Sequence, residues 1–451
     1  MIILNFGLTG NPLGHSLSKV IHTKLFEIKK ANCKYELYSD ESLDKVFEQT
    51  LSSLDGFNVT IPYKTDIIKF LYETDDKVNL YNSCNTVVHK DNKYYGYNTD
   101  VYGFLNSIKR CNVDLKGKRV LILGSGGVSR MMAFECVLNG SDVYITSRNN
   151  KKCLDIKNEV SERLGKNITV ISKEDIDNNF DIVLNGTPCG MYPKVMDLPI
   201  KFSKIKDVPF VFDTIYNPRE TLFTIMSKYC GNKAENGLFM LVEQAAVAQG
   251  HFCGLNYSVN EVEEVASKID VNPINIDKNI VLIGPPGSGK TTIGTELAKI
   301  FNLNFVDLDG EIESKYGSIT NIFDTYGEAY FRNIESDLLL EHSKQKNQLI
   351  STGGGIVESI DAVEKLCEDK NNIVVFINPD FEILVERTSH SDNRPLLRGD
   401  VSDKLKKLLQ RRLPLYNKYS NVRVDICCEQ EIKETTIQCV DSIVEYAVNL
   451  Y

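Results

Sequence analysis

The segment GPPGSGKT, Gly284–Thr291, matches G-x-x-x-x-G-K-[ST]. Its flanks suit the motif: the apolar run Ile280–Ile283 predicts a buried strand before it, and Thr292–Ile300 a helix after it. In such a P-loop, backbone N–H groups and the helix N-terminus cradle phosphate oxygens. Lys290 is then expected at the terminal phosphates of a nucleotide and Thr291 on Mg²⁺. Domains of this kind begin near the strand that feeds the loop. The long chain upstream therefore predicts a separate domain.

At 451 residues the chain exceeds one ordinary core. Its 42% hydrophobic and 25% charged content are those of a globular protein. A net charge of −9 argues against general nucleic-acid or membrane-surface binding, but permits small anions held in local basic pockets. The twelve cysteines show no C-x-x-C pair and no zinc-like spacing with the six histidines, so a reducing, cytoplasmic setting is expected. The N-terminal MIILNFGLTGNPLG lacks the features of a signal peptide, and no apolar run approaches the ~20 residues of a membrane span. Small-molecule substrates are the expected partners, with an oligomer left open.

Strand and helix patterns alternate from the start. Ile2–Leu8, Lys34–Tyr38 and Phe57–Thr60 read as strands, and Thr86–His89 with Lys93–Tyr97 as a hairpin across Asp91-Asn92. A parallel-sheet pattern follows through Arg119–Leu123, Asp142–Thr146, Asp181–Leu184 and Phe210–Phe212, the layout of a dinucleotide-binding domain. Gly237–His251 reads as an amphipathic helix, and the short polar VNPINIDK as a linker. The expected map has a first body over residues 1–270. In it, 101–236 carries the dinucleotide-binding pattern, flanked by 1–100 and 237–270. A linker over 271–279 and a P-loop domain over 280–451 complete the map.

Between a strand and a helix lies Gly124-Ser125-Gly126-Gly127-Val128-Ser129, in which Ser129 stands where a dinucleotide fingerprint has its last glycine. The next strand ends in Ser147-Arg148, with Lys151 and Lys152 close behind, where NAD sites carry an acidic residue. Cations there suit the extra 2′-phosphate of NADP. Any one of them alone reads equally well as a solvated surface charge.

GNPLGHSLS (Gly10–Ser18), NVTIPYK (Asn58–Lys64), Asn85-Thr86, NTD (Asn98–Asp100), GSGGVSR (Gly124–Arg130), TPCGM (Thr187–Met191), DTIYNP around Tyr216 and the NGLFMLVEQA helix resemble shikimate dehydrogenase over about residues 1–268. The resemblance implies a substrate-binding domain, 1–100 with 237–270, and a Rossmann-like NADP domain, 101–236. It implies Lys64 and Asp100 as the catalytic pair. Reducing a ketone needs a proton at oxygen as hydride reaches carbon, and a lysine beside a carboxylate can relay it. Ser16 and Ser18 would bind the substrate carboxylate, and Thr60, Asn85, Asp100 and Gln244 its hydroxyls, with Tyr216 also in reach. Gly124, Ser125, Gly126, Gly127, Val128, Ser147, Arg148, Lys152 and Gly237 would hold NADP. Read singly, Lys64 is a surface lysine, Asp100 a helix N-cap, Ser16 and Ser18 helix caps and Tyr216 a core aromatic. Lys19, where the family has proline, and Phe239, where it has glycine, depart from the pattern. Phe239 has the bulk to narrow the nicotinamide pocket, with its effect left open.

Downstream of the P-loop come Asp307 and Asp309 in VDLD, Arg332 and Glu335 in FRNIE, Gly353-Gly354-Gly355 after a strand, Arg394 in RPLL and Arg412 before PLY. This ordered set resembles shikimate kinase over about residues 279–451, an α/β domain with a parallel sheet. Gly287, Ser288, Gly289, Lys290, Thr291, Thr292, Arg387 and Arg394 would bind ATP. Thr291 and Asp307 would hold Mg²⁺, Asp307 through water. Asp309 would accept the proton or hydrogen bond of the substrate hydroxyl, while Arg332, Arg412 and the three glycines cradle shikimate and Glu335 orients Arg332. Thr388–Asp400 reads as a lid. Singly, Asp307 and Asp309 suit strand-end caps, and Arg332 with Glu335 a surface i,i+3 pair.

Together the two resemblances imply NADPH-dependent reduction of 3-dehydroshikimate to shikimate, then ATP/Mg²⁺-dependent phosphorylation of shikimate to shikimate 3-phosphate, in aromatic amino acid biosynthesis. The rivals are an NAD-using quinate/shikimate dehydrogenase, a non-catalytic sensor of pathway ligands, and a kinase of another small alcohol.

Overall fold

The computed structural model describes residues 3–177, 179–389 and 401–449. The chain divides into two compact units. The first is Met1–Pro188 with Asp207–Arg219 and Asn232–Asn272; the second is Pro273–Tyr451 with Cys189–Lys206 and Glu220–Gly231. The expected linker at 271–279 spans the point where the main body of the second unit begins. That unit also takes two stretches from the region expected to bind the dinucleotide. A local reason is Asp441 in the helix Ile432–Val448. Its carboxylate accepts the N–H groups of Phe202 at 2.6 Å and Ser203 at 3.0 Å, satisfying donors at the start of a short 3-10 turn.

The first unit holds two sheets. One is built from β1 (Leu4–Gly10), β2 (Cys33–Ser39), β3 (Gly56–Val59), β4 (Glu73–Thr74), β5 (Thr86–Lys90) and β6 (Lys93–Tyr97), in the order β2-β1-β3-β5-β6-β4. The β5–β6 turn places both Asp91 and Asn92 at positive φ, which short polar side chains tolerate. The other sheet is wholly parallel: β7 (Arg119–Leu123), β8 (Asp142–Thr146), β9 (Thr169–Val170), β10 (Ile182–Asn185), β11 (Phe210–Asp213) and β12 (Lys233–Glu235), in the order β12-β11-β10-β7-β8-β9. The chain reverses its direction of travel across the sheet between β7 and β10, the crevice where such sheets bind ligands. The helix Gly127–Leu138 buries Met131, Met132, Phe134 and Val137 in the core under this sheet.

The second unit has a five-stranded parallel sheet: β13 (Asn279–Ile283), β14 (Asn304–Asp307), β15 (Gln348–Ser351), β16 (Asn372–Pro379) and β17 (Val422–Ile426), in the order β14-β15-β13-β16-β17. Every residue of β13 and β15 is buried, which suits the apolar run Ile280–Ile283 of β13. The carboxyl ends of β13, β14 and β15 lie side by side, so the segments that follow them converge. Among the described residues, no helix is long and apolar enough to cross a membrane.

Candidate active sites

In the first unit, β3 runs into the loop carrying Lys64, β5 begins beside Asn85, and the helix Asp100–Arg110 follows β6. Antiparallel pairing of these strands brings the three residues together. Lys64 Nζ lies 2.6 Å from Asp100 Oδ2. Asn85 Nδ2 donates to Asp100 Oδ1 at 3.0 Å and to Gln244 Oε1 at 3.4 Å, while Asn85 Oδ1 accepts the Thr99 N–H at 2.7 Å. Asp100 is not the helix N-cap: Thr99 holds that position, and both Asp100 oxygens face Lys64 and Asn85. Behind them, buried Asn58 donates to Thr86 Oγ1 and to the Asn85 carbonyl and accepts the Tyr35 hydroxyl. The pair is thus fixed by a satisfied polar network.

A cavity of about 520 Å³ is lined by Lys64 and Asp100 on one side and by Gly127 and Val128 on the other. A methyl group added at Gly126 or Gly127 would meet no atom within 4 Å, so this turn faces open space of the kind a pyrophosphate fills. Gly124 has φ +111°, and a Cβ there would sit 2.9 Å from the Thr187 methyl. Gly237 approaches the Thr214 carbonyl so closely that a Cβ would lie 2.1 Å from its oxygen. Ser147 Oγ lies 2.9 Å from Ser125 Oγ, tying the end of β8 to the glycine turn, and Arg148, Lys151 and Lys152 are exposed just beyond. These donors fit a phosphorylated dinucleotide.

Ser16, Ser18, Thr60 and Tyr216 stand outside the lining of that cavity. Ser16 and Ser18 follow β1, and Thr60 follows β3, at the same end of the sheet. Ser16 Oγ accepts the Ser18 N–H at 3.3 Å, and neither hydroxyl caps the helix Ser18–Ile28. Tyr216 packs against the core around Ile21, Leu25 and Val242, and burial raises its phenol pKa. Phe239 does not narrow the pocket. It is 3% exposed in that same core, under the Arg110 guanidinium at 4.4 Å. Lys19 pairs on the surface with Glu36.

In the second unit, the P-loop uses three glycines at positive φ: Gly284, Gly287 and Gly289. Lys290 opens the following helix and folds over the loop, donating to the carbonyls of Gly284 at 2.8 Å and Pro285 at 3.1 Å and to Ser288 Oγ at 3.2 Å. Thr291 Oγ1 is 3.4 Å from Asp307 Oδ2, at the end of β14. One hydroxyl and one carboxylate fit Mg²⁺, which keeps several waters and takes the rest of its shell from phosphate. A cavity of about 410 Å³ is lined by the loop, Asp309, Arg332, Gly353–Gly355, Arg387 and Arg412. Arg387 pairs with Glu429 at 2.7 Å. Burial pushes the Asp309 carboxyl upward, opposed by the Lys290 charge and reinforced by Asp307. Burial likewise raises Asp307.

Arg332 and Glu335 are no surface pair. Glu335 is fully buried, and its Oε2 accepts from Arg332 Nη1 at 2.6 Å; burial raises its pKa, with the Arg332 charge opposing. The glycines are required by approach. A Cβ at Gly353 would sit 2.3 Å from Glu335 Oε1 and 2.8 Å from Asp309 Oδ1, and one at Gly355 would lie 2.0 Å from Arg332 Nη2. Arg412, 1% exposed, donates to the Gly354 carbonyl at 3.1 Å and to Glu358. Arg394 and most of the expected lid lie outside the described residues.

A family model for the shikimate dehydrogenase substrate binding domain matches residues 8–87, and one for shikimate kinase matches residues 286–445. A shikimate dehydrogenase (NADP(+)) of Caldanaerobacter subterraneus subsp. tengcongensis is 34% identical over 249 residues, 54% of this chain and 89% of the relative. This chain belongs to the shikimate dehydrogenase family. Its C-terminal part is a shikimate kinase domain. Two solved structures are similar to the dehydrogenase fold. A chorismate mutase/shikimate 5-dehydrogenase fusion protein from Clostridium acetobutylicum is 34% identical with a TM-score of 0.54, covering 59% of this chain and 97% of its own. A shikimate 5-dehydrogenase from Thermus thermophilus, in complex with NADP(H) and shikimate, is 26% identical with a TM-score of 0.54, covering 59% and 99%.

Sequence reasoning missed two residues of this family member's dehydrogenase part. Gly186, after β10, gives the room that the fingerprint's last glycine would give: a Cβ there would lie 2.3 Å from Ser129 Oγ. Glu135, 2% exposed, takes Lys77 and the Tyr81 hydroxyl, joining the nucleotide-side helix to the helix Asp76–Tyr81. The first was legible in Ser129, whose side chain must be housed somewhere. The second had no local signal.

Proposed function

We propose that the first site reduces 3-dehydroshikimate to shikimate with NADPH and that the second transfers the γ-phosphoryl group of ATP to the shikimate 3-hydroxyl. The chain is a bifunctional shikimate-pathway enzyme using NADP, ATP and Mg²⁺. The observation that carries the reading is shared by both sites: each glycine-rich turn opens onto a cavity that also holds a proton-handling group.

In the first reaction NADPH supplies the hydride. Lys64 faces the cavity and gives its proton to the carbonyl oxygen, while Asp100, held by Asn85, keeps the ammonium in place and balances its charge. Asn85 and Gln244 read the ring hydroxyls, and Ser16 and Ser18 the carboxylate. Arg148, next to the Ser147 that bonds to the glycine turn, and Lys152 take the 2′-phosphate.

In the second reaction ATP with Mg²⁺ supplies the phosphoryl group. Arg332 and Arg412 hold the carboxylate of shikimate, and Gly353–Gly355 let its ring reach the backbone. Asp309 accepts from the attacking hydroxyl, its basicity raised by burial. Lys290 turns from the loop carbonyls to phosphate oxygen.

The test is product analysis with 3-dehydroshikimate, NADPH, ATP and Mg²⁺, alongside samples lacking NADPH or ATP. Shikimate 3-phosphate only in the full mixture, and shikimate without ATP, is the expected result. Neither product from folded protein that still binds shikimate refutes both activities and leaves a sensor. Reduction alone refutes the kinase substrate.

A further inference from the structure

Behind Arg412 in the wall of the kinase pocket stands a carboxylate that no motif announced. Glu358 ends the 3-10 turn Ile356–Glu358, which follows directly from the triple glycine. Its Oε2 accepts from Arg412 Nε at 2.9 Å and Nη2 at 2.6 Å. Its Oε1 lies 2.5 Å from Nε of Arg411, which is 63% exposed. One carboxylate therefore bridges two consecutive arginines, one buried and one on the surface.

The hydrogen-bond inventory of Arg412 gives this arrangement its meaning. A guanidinium has five N–H donors in a rigid fork. Two go to Glu358 and one, from Nη1, goes to the Gly354 carbonyl. The Tyr416 hydroxyl is a further partner of Arg412, and Arg412 lines the pocket. A guanidinium held in this way at a pocket wall can still add a charge-assisted bond to an anion there. Charge points the same way. Arg412 alone would be a buried cation without a counter-ion, which is costly. Paired with Glu358 alone it would be neutral. With Arg411 on the second oxygen, the trio carries one net positive charge, which still attracts an anion.

We propose that Glu358 is the positioning residue of the kinase site: it locks the Arg412 fork in place to meet the carboxylate of shikimate, with Arg411 restoring the charge that Glu358 removes. This rests on the kinase reading above. Glu358 does not touch substrate; it acts through Arg412.

The test compares wild type, Glu358→Ala and Glu358→Asp in steady-state phosphorylation of shikimate, with shikimate and MgATP varied separately. Alanine removes the lock, and a KM for shikimate raised by about 10-fold or more is expected, with kcat and the KM for MgATP within about twofold. Aspartate keeps the charge but draws the fork back by one methylene. It is expected to fold even if alanine does not, and to raise the shikimate KM about 3-fold or more. An unchanged shikimate KM in both variants overturns the proposal. So does a loss spread equally over shikimate KM, MgATP KM and thermal stability, which would mean that Glu358 merely holds the fold. A wild type that does not phosphorylate shikimate overturns the kinase reading itself, and the inference with it.

Discussion

Lys64 and Asp100 meet at 2.6 Å although 36 residues separate them, and Asn85 holds the other oxygen of Asp100 at 3.0 Å. The pair faces the same cavity as the glycine turn, so its removal should silence one reaction only. Lys64→Ala is expected to lower kcat for reduction about 10³-fold and to leave phosphorylation of added shikimate unchanged. Lys290→Ala should do the reverse. Loss of both activities in either folded variant would refute the separate roles.

The approach of Gly355 to Arg332 makes a sharper demand. A Cβ there would lie 2.0 Å from a guanidinium that is itself tied to Glu335 and Glu328. Gly355→Ala is expected to displace Arg332 and cut kcat/KM for shikimate about 100-fold, because small misplacements of a clamp slow the reaction steeply. Kinetics with both substrates would check this. An unchanged kcat/KM would show that Arg332 yields freely.

Cofactor choice is expected to reside beyond β8. Arg148 is exposed next to Ser147, which is bonded to the glycine turn. Arg148→Ala should raise the KM for NADPH about 10-fold and move the KM for NADH less than about twofold. Equal effects on both cofactors would place Arg148 elsewhere than at the 2′-phosphate.

His22 sets a pH dependence of stability. It is 1% exposed, stacks on Tyr35 at 3.9 Å, and bonds to Gln249; burial lowers its pKa to about 3. The unfolded chain, with an ordinary histidine pKa of about 6.5, binds the proton first. Between about pH 6.5 and 3, stability therefore falls as pH falls, by up to about 1.4 kcal/mol per pH unit from this group. Urea midpoints followed by circular dichroism from about pH 7 to 5 should show a shallower decline in His22→Gln than in wild type. Parallel declines would assign the acid sensitivity to other groups.

How much was legible in the sequence followed chain separation. The P-loop, the Ser125–Val128 turn and the triple glycine are local, because a turn that must pass through positive φ or admit a ligand advertises itself in consecutive residues. Strand edges such as Arg119–Leu123 were equally plain from their apolar runs. What escaped is built from distant parts. Gly186 is one glycine among many until Ser129 is seen against it. Glu358 and Asp441 look like surface charges until Arg412 and the Phe202 turn arrive beside them. The place of Phe239 was hidden for the same reason: nothing near it in the chain says that its side of the helix faces Leu25 and Arg110 rather than the cofactor.

The network around Asn85 has a consequence for selectivity. Its amide, the Asp100 carboxylate, the Gln244 amide and Lys64 already bond to one another. If ring hydroxyls bind these groups as proposed, substrate entry is in part an exchange of partners, because the groups already hold one another. A ring lacking one hydroxyl leaves the resting contact intact and strands nothing. Discrimination at this site is then set by the difference between two good bonds rather than by the penalty of a missing one. Deoxygenated analogues should be weak competitors that still gain entry, and the enzyme's choice among rings should rest on turnover more than on exclusion.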